Sequence, residues 1–154
     1  MVGRWTMNER SIAVVQEARR WIGTPYVHQA SARGAGTDCL GLLRGVWRGL
    51  IGAEPQAVPA YTPGWSEAEG IEHLLAAGER FLRRKPLADA AAGDVLLFRM
   101  RDHAVAKHVG IQSVTGDQPM FVHAYTGHGV LESPLSEPWA RRVVARFAFP
   151  EGVK

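Results

Sequence analysis

Apolar side chains recur at helical spacing in the first half of the chain. Asn8 can cap a first helix, and Gly23-Thr24-Pro25 can end it with a C′ glycine and a breaker. The apolar positions of this helix are Ile12, Val15, Ala18 and Ile22. Residues 26–37 have no periodicity and predict an irregular loop that leads to Asp38 and Cys39.

A second helix is predicted over residues 39–51. Its apolar positions are Leu43, Val46, Trp47 and Leu50, and its small positions are Gly41, Gly45 and Gly49. Each glycine costs up to about 1 kcal/mol in a helix interior, so three on one line predict that another element packs very close. Thirteen residues with two arginines are too short and too polar to span a bilayer of roughly 30 Å.

A proline-bearing connection follows at residues 54–64, and then a third helix. Ser66-Glu67-Ala68-Glu69 forms a capping box, and the helix is expected to reach about Arg84. Its apolar positions are Ile71, Leu74, Leu75, Phe81 and Leu82.

The second half of the chain changes to the pattern of short strands. These are expected at Val95–Phe98, His108–Thr115, Met120–Thr126 and Val143–Phe149. Helices first and strands later predict an α+β fold, with helices packed on a mostly antiparallel sheet. No internal repeat interrupts this order.

Length and composition fit one globular domain over residues 1–154. Hydrophobic residues make up 46% of the chain and charged residues 21%, as in ordinary folded proteins. The net charge of +3 comes from scattered arginines, so a nucleic-acid partner is not expected, and mild attraction to an anionic envelope fits equally well. The first residues lack the apolar core of a secretory signal, so we expect a soluble protein made in the cytoplasm, without a signal peptide or membrane span.

Cys39 is the single cysteine, so an internal disulfide is excluded. It stands where a loop meets a helix N-terminus, and there unpaired N–H groups and the helix dipole favour a thiolate. The alternative is a small buried hydrophobic side chain.

Two histidines can give this thiol a base. His108 opens one predicted strand and His123 lies on the next, 15 residues later. A tight hairpin at Thr115-Gly116 would place them directly opposite each other, where His123 could hold the ring of His108 while His108 takes the thiol proton. A turn at Asp117-Gln118 instead would break this pairing. We assign structural or surface roles to the remaining histidines, His28, His73, His103 and His128. A zinc site formed by Cys39, His108 and His123 is a competing hypothesis, although no C-x-x-C or H-x-x-x-H spacing supports it.

Five blocks in order resemble the NlpC-type cell-wall cysteine peptidases. The blocks are Gly23-Thr24-Pro25-Tyr26, Asp38-Cys39-Leu40-Gly41-Leu42, Gly93-Asp94-Val95-Leu96-Leu97-Phe98, His108-Val109-Gly110-Ile111 and Phe121-Val122-His123-Ala124. The resemblance implies a papain-like α+β fold without a cofactor. It also implies hydrolysis of peptidoglycan stem peptides, typically between γ-D-glutamate and the diamino acid.

The resemblance also implies roles for individual residues. Cys39 would attack the carbonyl, His108 would be the base and His123 the orienting third member. Tyr26 matches the active-site tyrosine of the family and could donate its hydroxyl near the oxyanion or the substrate. Asp38 could anchor the free amine of a stem peptide, cap the helix, or do both.

The chain departs from the pattern of the family that it resembles at two points. Leu40 stands where many members carry serine, and the interval between the two histidines is longer than usual. Without the wall-binding repeats of secreted members, the chain is similar to the short peptidases of phage tails and gene transfer agents, which would make tail hub or tail-tip proteins its partners. Two alternatives to a peptidoglycan peptidase remain: a non-catalytic tail-tip or hub component, and an amidase or acyltransferase that uses the same dyad.

Overall fold

The helices precede most of the strands in the computed structural model, which describes residues 6–55 and 72–150. In chain order the elements are α1 (Met7–Arg19), β1 (Ser31–Ala32), β2 (Gly36–Thr37), α2 (Cys39–Leu50), α3 (His73–Phe81), β3 (Arg83–Lys85), β4 (Val95–Arg99), β5 (Ala106–Val114), β6 (Met120–Tyr125), β7 (Gly129–Pro134), α4 (Glu137–Ala140) and β8 (Val143–Ala148).

Six strands form the main sheet, in the order β3-β8-β4-β5-β6-β7, and each neighbouring pair is antiparallel. The predicted α+β class with a mostly antiparallel sheet is therefore confirmed. The four expected strands are present, with bounds shifted by one or two residues. None of the helices in the described ranges is long and apolar enough to cross a membrane.

The two faces of the sheet bury different cores, as alternation along each strand requires. Val95 and Leu97 of β4 point into the larger core, shared with α1 and α2. Leu96 and Phe98 point to the other face, where a smaller core includes Phe121. The other partners of this smaller core are Leu135, Trp139 and Val143.

The glycine stripe of α2 is where neighbouring segments approach, as predicted. A Cβ at Gly45 would collide with the ring of Trp21, and one at Gly49 would lie 2.9 Å from Cδ of Glu17. A Cβ at Gly41 would collide with the carbonyl oxygen of Ala30. The stripe therefore allows close packing against α1 and against the loop before α2.

The ends predicted for the first helix are wrong. Thr6, and not Asn8, is the N-cap, because its hydroxyl accepts from the Glu9 N–H at 3.1 Å while Glu9 accepts from the Thr6 N–H at 3.3 Å. The helix ends at Arg19, and Gly23 belongs to the following turn.

The face predicted for α1 is also partly wrong. Ile12 and Ile22 are 49% and 45% exposed, whereas Val14, Ala18 and Trp21 are almost fully buried. Positions 14, 18 and 21 also follow helical spacing, and the large ring of Trp21 decides which face meets α2.

The third helix ends earlier than predicted. It runs from His73 to Phe81, and its expected capping box at 66–69 lies outside the described residues. Arg83 and Arg84 belong to β3, which pairs with β8, so ladder hydrogen bonds override helical propensity there. The strands β1, β2, β3 and β7 and the short helix α4 were not predicted from the sequence.

Candidate active site

Asp38 fixes the start of α2 and thereby the position of Cys39. Its Oδ1 accepts from the Gly41 N–H at 2.7 Å and its Oδ2 from the Gln29 N–H at 2.8 Å. The residue is 2% exposed. The structure thus shows the helix-capping role for Asp38, and both carboxylate oxygens already accept backbone hydrogen bonds.

The thiol of Cys39 lies against the backbone on both sides of His108. Its Sγ is 3.8 Å from the carbonyl oxygen of Lys107, and the backbone N–H of Val109 also interacts with the sulfur. Cys39 is partly buried and packs against the larger core. The fold therefore brings the N-terminus of α2 close to the first residues of β5. The roles of Cys39 and His108 inferred from the sequence predicted this proximity.

The environment of Cys39 favours the neutral thiol. Burial, and then the negative charge of Asp38, raise its pKa to about 11. The N–H groups of Val109, Leu40 and Cys39 itself act in the opposite direction but do not prevail. The expectation that the helix N-terminus favours a thiolate is therefore wrong for this state, because desolvation outweighs the helix terminus.

His108 and His123 form a hydrogen bond through their rings. Nε2 of His108 lies 2.8 Å from Nδ1 of His123, and Nε2 of His123 lies 3.0 Å from Oγ of Ser133. Ser133 on β7 thus extends the chain of hydrogen bonds to a third strand. The bond between the rings uses Nε2 of His108, and the tautomers of the two rings decide which nitrogen donates.

The register that the sequence predicted for the two histidines is wrong, although their contact is observed. Ile111 pairs with Val122, so counting back places Gly110, and not His108, opposite His123. The ideal Cβ of a side chain at Gly110 would be 3.3 Å from Cβ of His123. Because Gly110 has no side chain, the ring of His108 reaches His123 along the diagonal.

Burial keeps both imidazoles neutral. It lowers the pKa of His108 to about 3, with smaller contributions from His123 and Lys107. Burial also lowers the pKa of His123 to about 4, with a smaller contribution from His128. A neutral imidazole can accept a proton and so act as a general base.

Tyr26 lies in the same region as Asp38 and Cys39. It forms an isolated bridge with Thr37 just before the helix, and its hydroxyl interacts with the side chain of Thr126. Burial raises its pKa, the hydrogen bond with Thr126 lowers it, and electrostatic interactions with Cys39 and Asp38 act in the same direction as burial. The structure therefore groups Tyr26, Asp38 and Cys39, and it brings Cys39 against the backbone that carries His108, whose ring is bonded to His123.

Two of the histidines assigned to structural or surface roles border this region. Nδ1 of His28 is 3.8 Å from Oδ2 of Asp38, and the exposed ring of His128 stacks on Tyr125 with 5.5 Å between centroids. His103 is exposed with a positive φ of 62°, and His73 begins α3.

The zinc hypothesis gains no support from the geometry. Within residues 6–55 and 72–150, no three His, Cys, Asp or Glu side chains converge as a metal ion would require. Ser133, Thr126 and Trp139 contact the predicted residues but were missed. Serine, threonine and tryptophan carry no motif of their own, and β7 and α4, which hold two of the three, were not foreseen.

Comparison with known proteins identifies relatives of this chain. Residues 23–147 match the NlpC/P60 family. The Gamma-DL-glutamyl hydrolase of Bacillus subtilis (strain 168) is 31% identical over 128 residues, which are 83% of this chain. The match covers 26% of that relative, so this chain corresponds to about a quarter of its length.

Solved structures of NlpC/P60 proteins share the fold. A lipoprotein-like NLP/P60 family protein from Staphylococcus aureus superposes with a TM-score of 0.59 at 19% identity, over 96% of this chain and 43% of that one. An NlpC/P60 family protein from Bacillus cereus gives a TM-score of 0.59 at 16% identity, over 88% of this chain and 39% of that one.

Proposed function

Because this chain belongs to the NlpC/P60 family, we propose that it is a cysteine peptidase that hydrolyses peptidoglycan stem peptides. The bond between γ-D-glutamate and the diamino acid is the expected target. The name of the Bacillus relative, a glutamyl hydrolase, supports this choice.

One observation carries the proposal. The Cys39 sulfur lies against the backbone of Lys107 and Val109, while the residue between them, His108, is hydrogen-bonded to His123 at 2.8 Å. A nucleophile, a base and a group that orients the base are the parts that acyl transfer requires.

The chemistry follows from this arrangement. Sγ of Cys39 attacks the carbonyl carbon while a nitrogen of His108 takes the thiol proton, and that proton then passes to the departing amine. Water hydrolyses the resulting thioester and restores the thiol. With pKa values of about 11 for the thiol and about 3 for His108, a resting ion pair is unfavourable, so proton transfer accompanies the attack.

Tyr26 and Asp38 complete the proposed site. The hydroxyl of Tyr26, close to Cys39 and to the carboxylate of Asp38, donates to the developing oxyanion or to the substrate. Asp38 positions Cys39 by capping α2, and its carboxylate gives the site the negative charge that attracts the free amine of a stem peptide.

The test is incubation of the purified protein with a stem tetrapeptide and with whole peptidoglycan. Mass spectrometry of the products should show cleavage after γ-D-glutamate by the wild type and none by Cys39→Ala. Equal products from both proteins contradict the proposal. Release of the glycan from the peptide, or transfer of the acyl group, identifies the amidase or acyltransferase alternative.

A second candidate is a non-catalytic tail-tip or hub component. The raised pKa of Cys39 favours it, because a neutral thiol is a poor nucleophile. Treatment of the native protein with a thiol reagent at neutral pH distinguishes the two. No labelling of Cys39 together with no cleavage supports the structural role, whereas cleavage excludes it.

Carriage in a phage-like tail is the remaining part of the proposal. It rests on the similarity of the sequence to the short peptidases of phage tails and gene transfer agents, and it makes hub or tail-tip proteins the expected partners. Immunodetection of the protein in purified tail-bearing particles checks it, and recovery only in the particle-free fraction contradicts it.

A further inference from the structure

We propose that Trp139 is a positioning residue that covers the His108–His123 pair and holds the two rings in their hydrogen-bonded arrangement. The inference rests on the proposed function, in which His108 is the base and His123 orients it. It assigns a role to a residue outside the strands that carry the two histidines. Trp139 lies on α4, between β7 and β8.

Trp139 contacts five other rings on the face of the sheet that carries the smaller core. Its centroid is 5.6 Å from that of His108, with 32° between the planes, and 5.2 Å from that of His123, with 79° between the planes. The rings of Phe98 and Tyr125 are each 5.5 Å away, and Phe121 is 5.4 Å away. The indole is therefore tilted over one histidine and meets the other at its edge.

The indole ring separates the histidines from solvent. Trp139 is partly exposed, whereas His108 and His123 are 7% and 1% exposed. The guanidinium of Arg142 lies 5.8 Å from the indole centroid, and the Arg142 N–H donates to the Trp139 carbonyl at 3.0 Å. Truncation of Trp139 would therefore admit water to the pair, while the larger core stays intact.

Access of water changes what the pair can do. A dry environment strengthens the hydrogen bond between Nε2 of His108 and Nδ1 of His123 and disfavours a charge on either ring. The other titratable or charged groups near the pair are Lys107 on β5, His128 beyond β6, Tyr125 and Arg142. The thiol of Cys39 contacts the backbone on either side of His108. Trp139 adds no charge of its own, so its effect acts through exclusion of water and through ring contact.

The experiment compares Trp139→Ala with the matched control Trp47→Ala. Trp47 is also a partly buried tryptophan with an aromatic partner, Phe149 at 6.4 Å, but it packs on the larger core. The readout is the NMR titration of the imidazole nitrogens in the full chain without substrate, assigned with His108→Gln and His123→Gln.

We expect Trp139→Ala to raise the midpoint of the histidine pair by roughly 1–2 pH units and to mix its tautomers. Trp47→Ala should leave the midpoint and the tautomers unchanged, even if it lowers Tm as much as Trp139→Ala does. Trp139→Phe, which keeps a ring in place, should give an intermediate shift and covers the case in which the alanine variant does not fold. In the cleavage assay, Trp139→Ala should lower kcat about tenfold with little change in KM.

Identical titrations for Trp139→Ala and Trp47→Ala, or for Trp139→Phe and wild type where the alanine variant does not fold, overturn the inference. A wild-type protein that cleaves no stem peptide contradicts the proposed function instead, and the imidazole spectra, which need no substrate, still decide whether Trp139 positions the pair.

Discussion

Two buried polar clusters lie on the same face of β5, about 13 Å apart along the strand. At Gln112, Nη1 of Arg146 donates to Oε1 of Gln112 at 2.7 Å and to Oδ2 of Asp94 at 2.8 Å. Nζ of Lys85 lies 3.0 Å from both oxygens of Asp94. Near the other end of β5, His108 and His123 share a hydrogen bond of 2.8 Å and carry no charge at neutral pH.

The two clusters differ in how many of their hydrogen-bond donors and acceptors are already engaged. Asp94 accepts from two cations and from the Ala91 N–H at 2.9 Å, so its carboxylate is fully engaged. In the histidine cluster, the hydrogen bond between the rings uses only Nε2 of His108, and a thiol lies against the neighbouring backbone. A saturated buried network holds strands together, whereas a neutral, unsaturated one can transfer a proton.

Removal of Asp94 should give the largest loss of stability. We expect Asp94→Ala to lower the free energy of unfolding by about 3–5 kcal/mol, because Arg146 and Lys85 would be left buried without their counter-ion. Urea unfolding measures this, with Glu79→Ala as the control, since its ion pair with Arg84 is exposed and should contribute at most about 1 kcal/mol. Equal losses for the two variants would show that the network is not structural.

Substitution at His108 should have the opposite pattern, with a large loss of activity and a small loss of stability. His108→Gln should lower kcat/KM for a stem peptide by about 100- to 1,000-fold, since the base is lost, with little change in the free energy of unfolding. His103→Gln, at an exposed histidine, is the control and should retain full activity. Retention of activity by His108→Gln would remove His108 from the proposed mechanism.

Acid should destabilise the histidine cluster. The folded pKa values of about 3 and about 4 lie below the ordinary value of 6.5, so the unfolded chain binds more protons as the pH falls from 6.5 to 4. Each ring should therefore lower the free energy of unfolding by up to about 1.4 kcal/mol per pH unit over that window. Urea unfolding at several pH values measures the slope, which should be shallower in His123→Gln. A slope that this substitution leaves unchanged would contradict the burial argument.

The sequence predicted the helix and strands that carry the site, but not the register in which β5 and β6 pair. Helical spacing and the glycine stripe placed Cys39 at the start of α2, and strand patterning placed His108 and His123 on neighbouring strands. The diagonal contact depended on where the hairpin turns. A one-residue change in the position of the turn shifts every cross-strand pair, and the sequence does not distinguish a turn at Thr115-Gly116 from one at Asp117-Gln118.

What the sequence could not predict was the environment of the site. The helix N-terminus indicated a low pKa for Cys39, but the opposite result depends on how deeply the rest of the chain covers the sulfur. Trp139 is likewise distant in sequence from both histidines and contacts them only because α4, which follows the edge strand β7, packs on this face of the sheet. Burial of this kind is a property of tertiary packing, which local patterns do not encode.

Substitution of Asp38 should have the smallest effect on stability. It also tests a second role, because Asp38 both caps α2 and opposes ionisation of the Cys39 thiol. Asp38→Ser keeps an N-cap acceptor for the Gly41 N–H but loses the acceptor for Gln29, so the free energy of unfolding should fall by about 1 kcal/mol. Removal of the negative charge should lower the pKa of Cys39 from about 11, so alkylation by iodoacetamide should begin at a lower pH. Asp117→Ser, at an exposed turn, should change neither quantity. An unchanged alkylation profile in Asp38→Ser would mean that desolvation by itself sets the ionisation of Cys39, and then a neutral resting thiol follows from the depth of the site rather than from its charges.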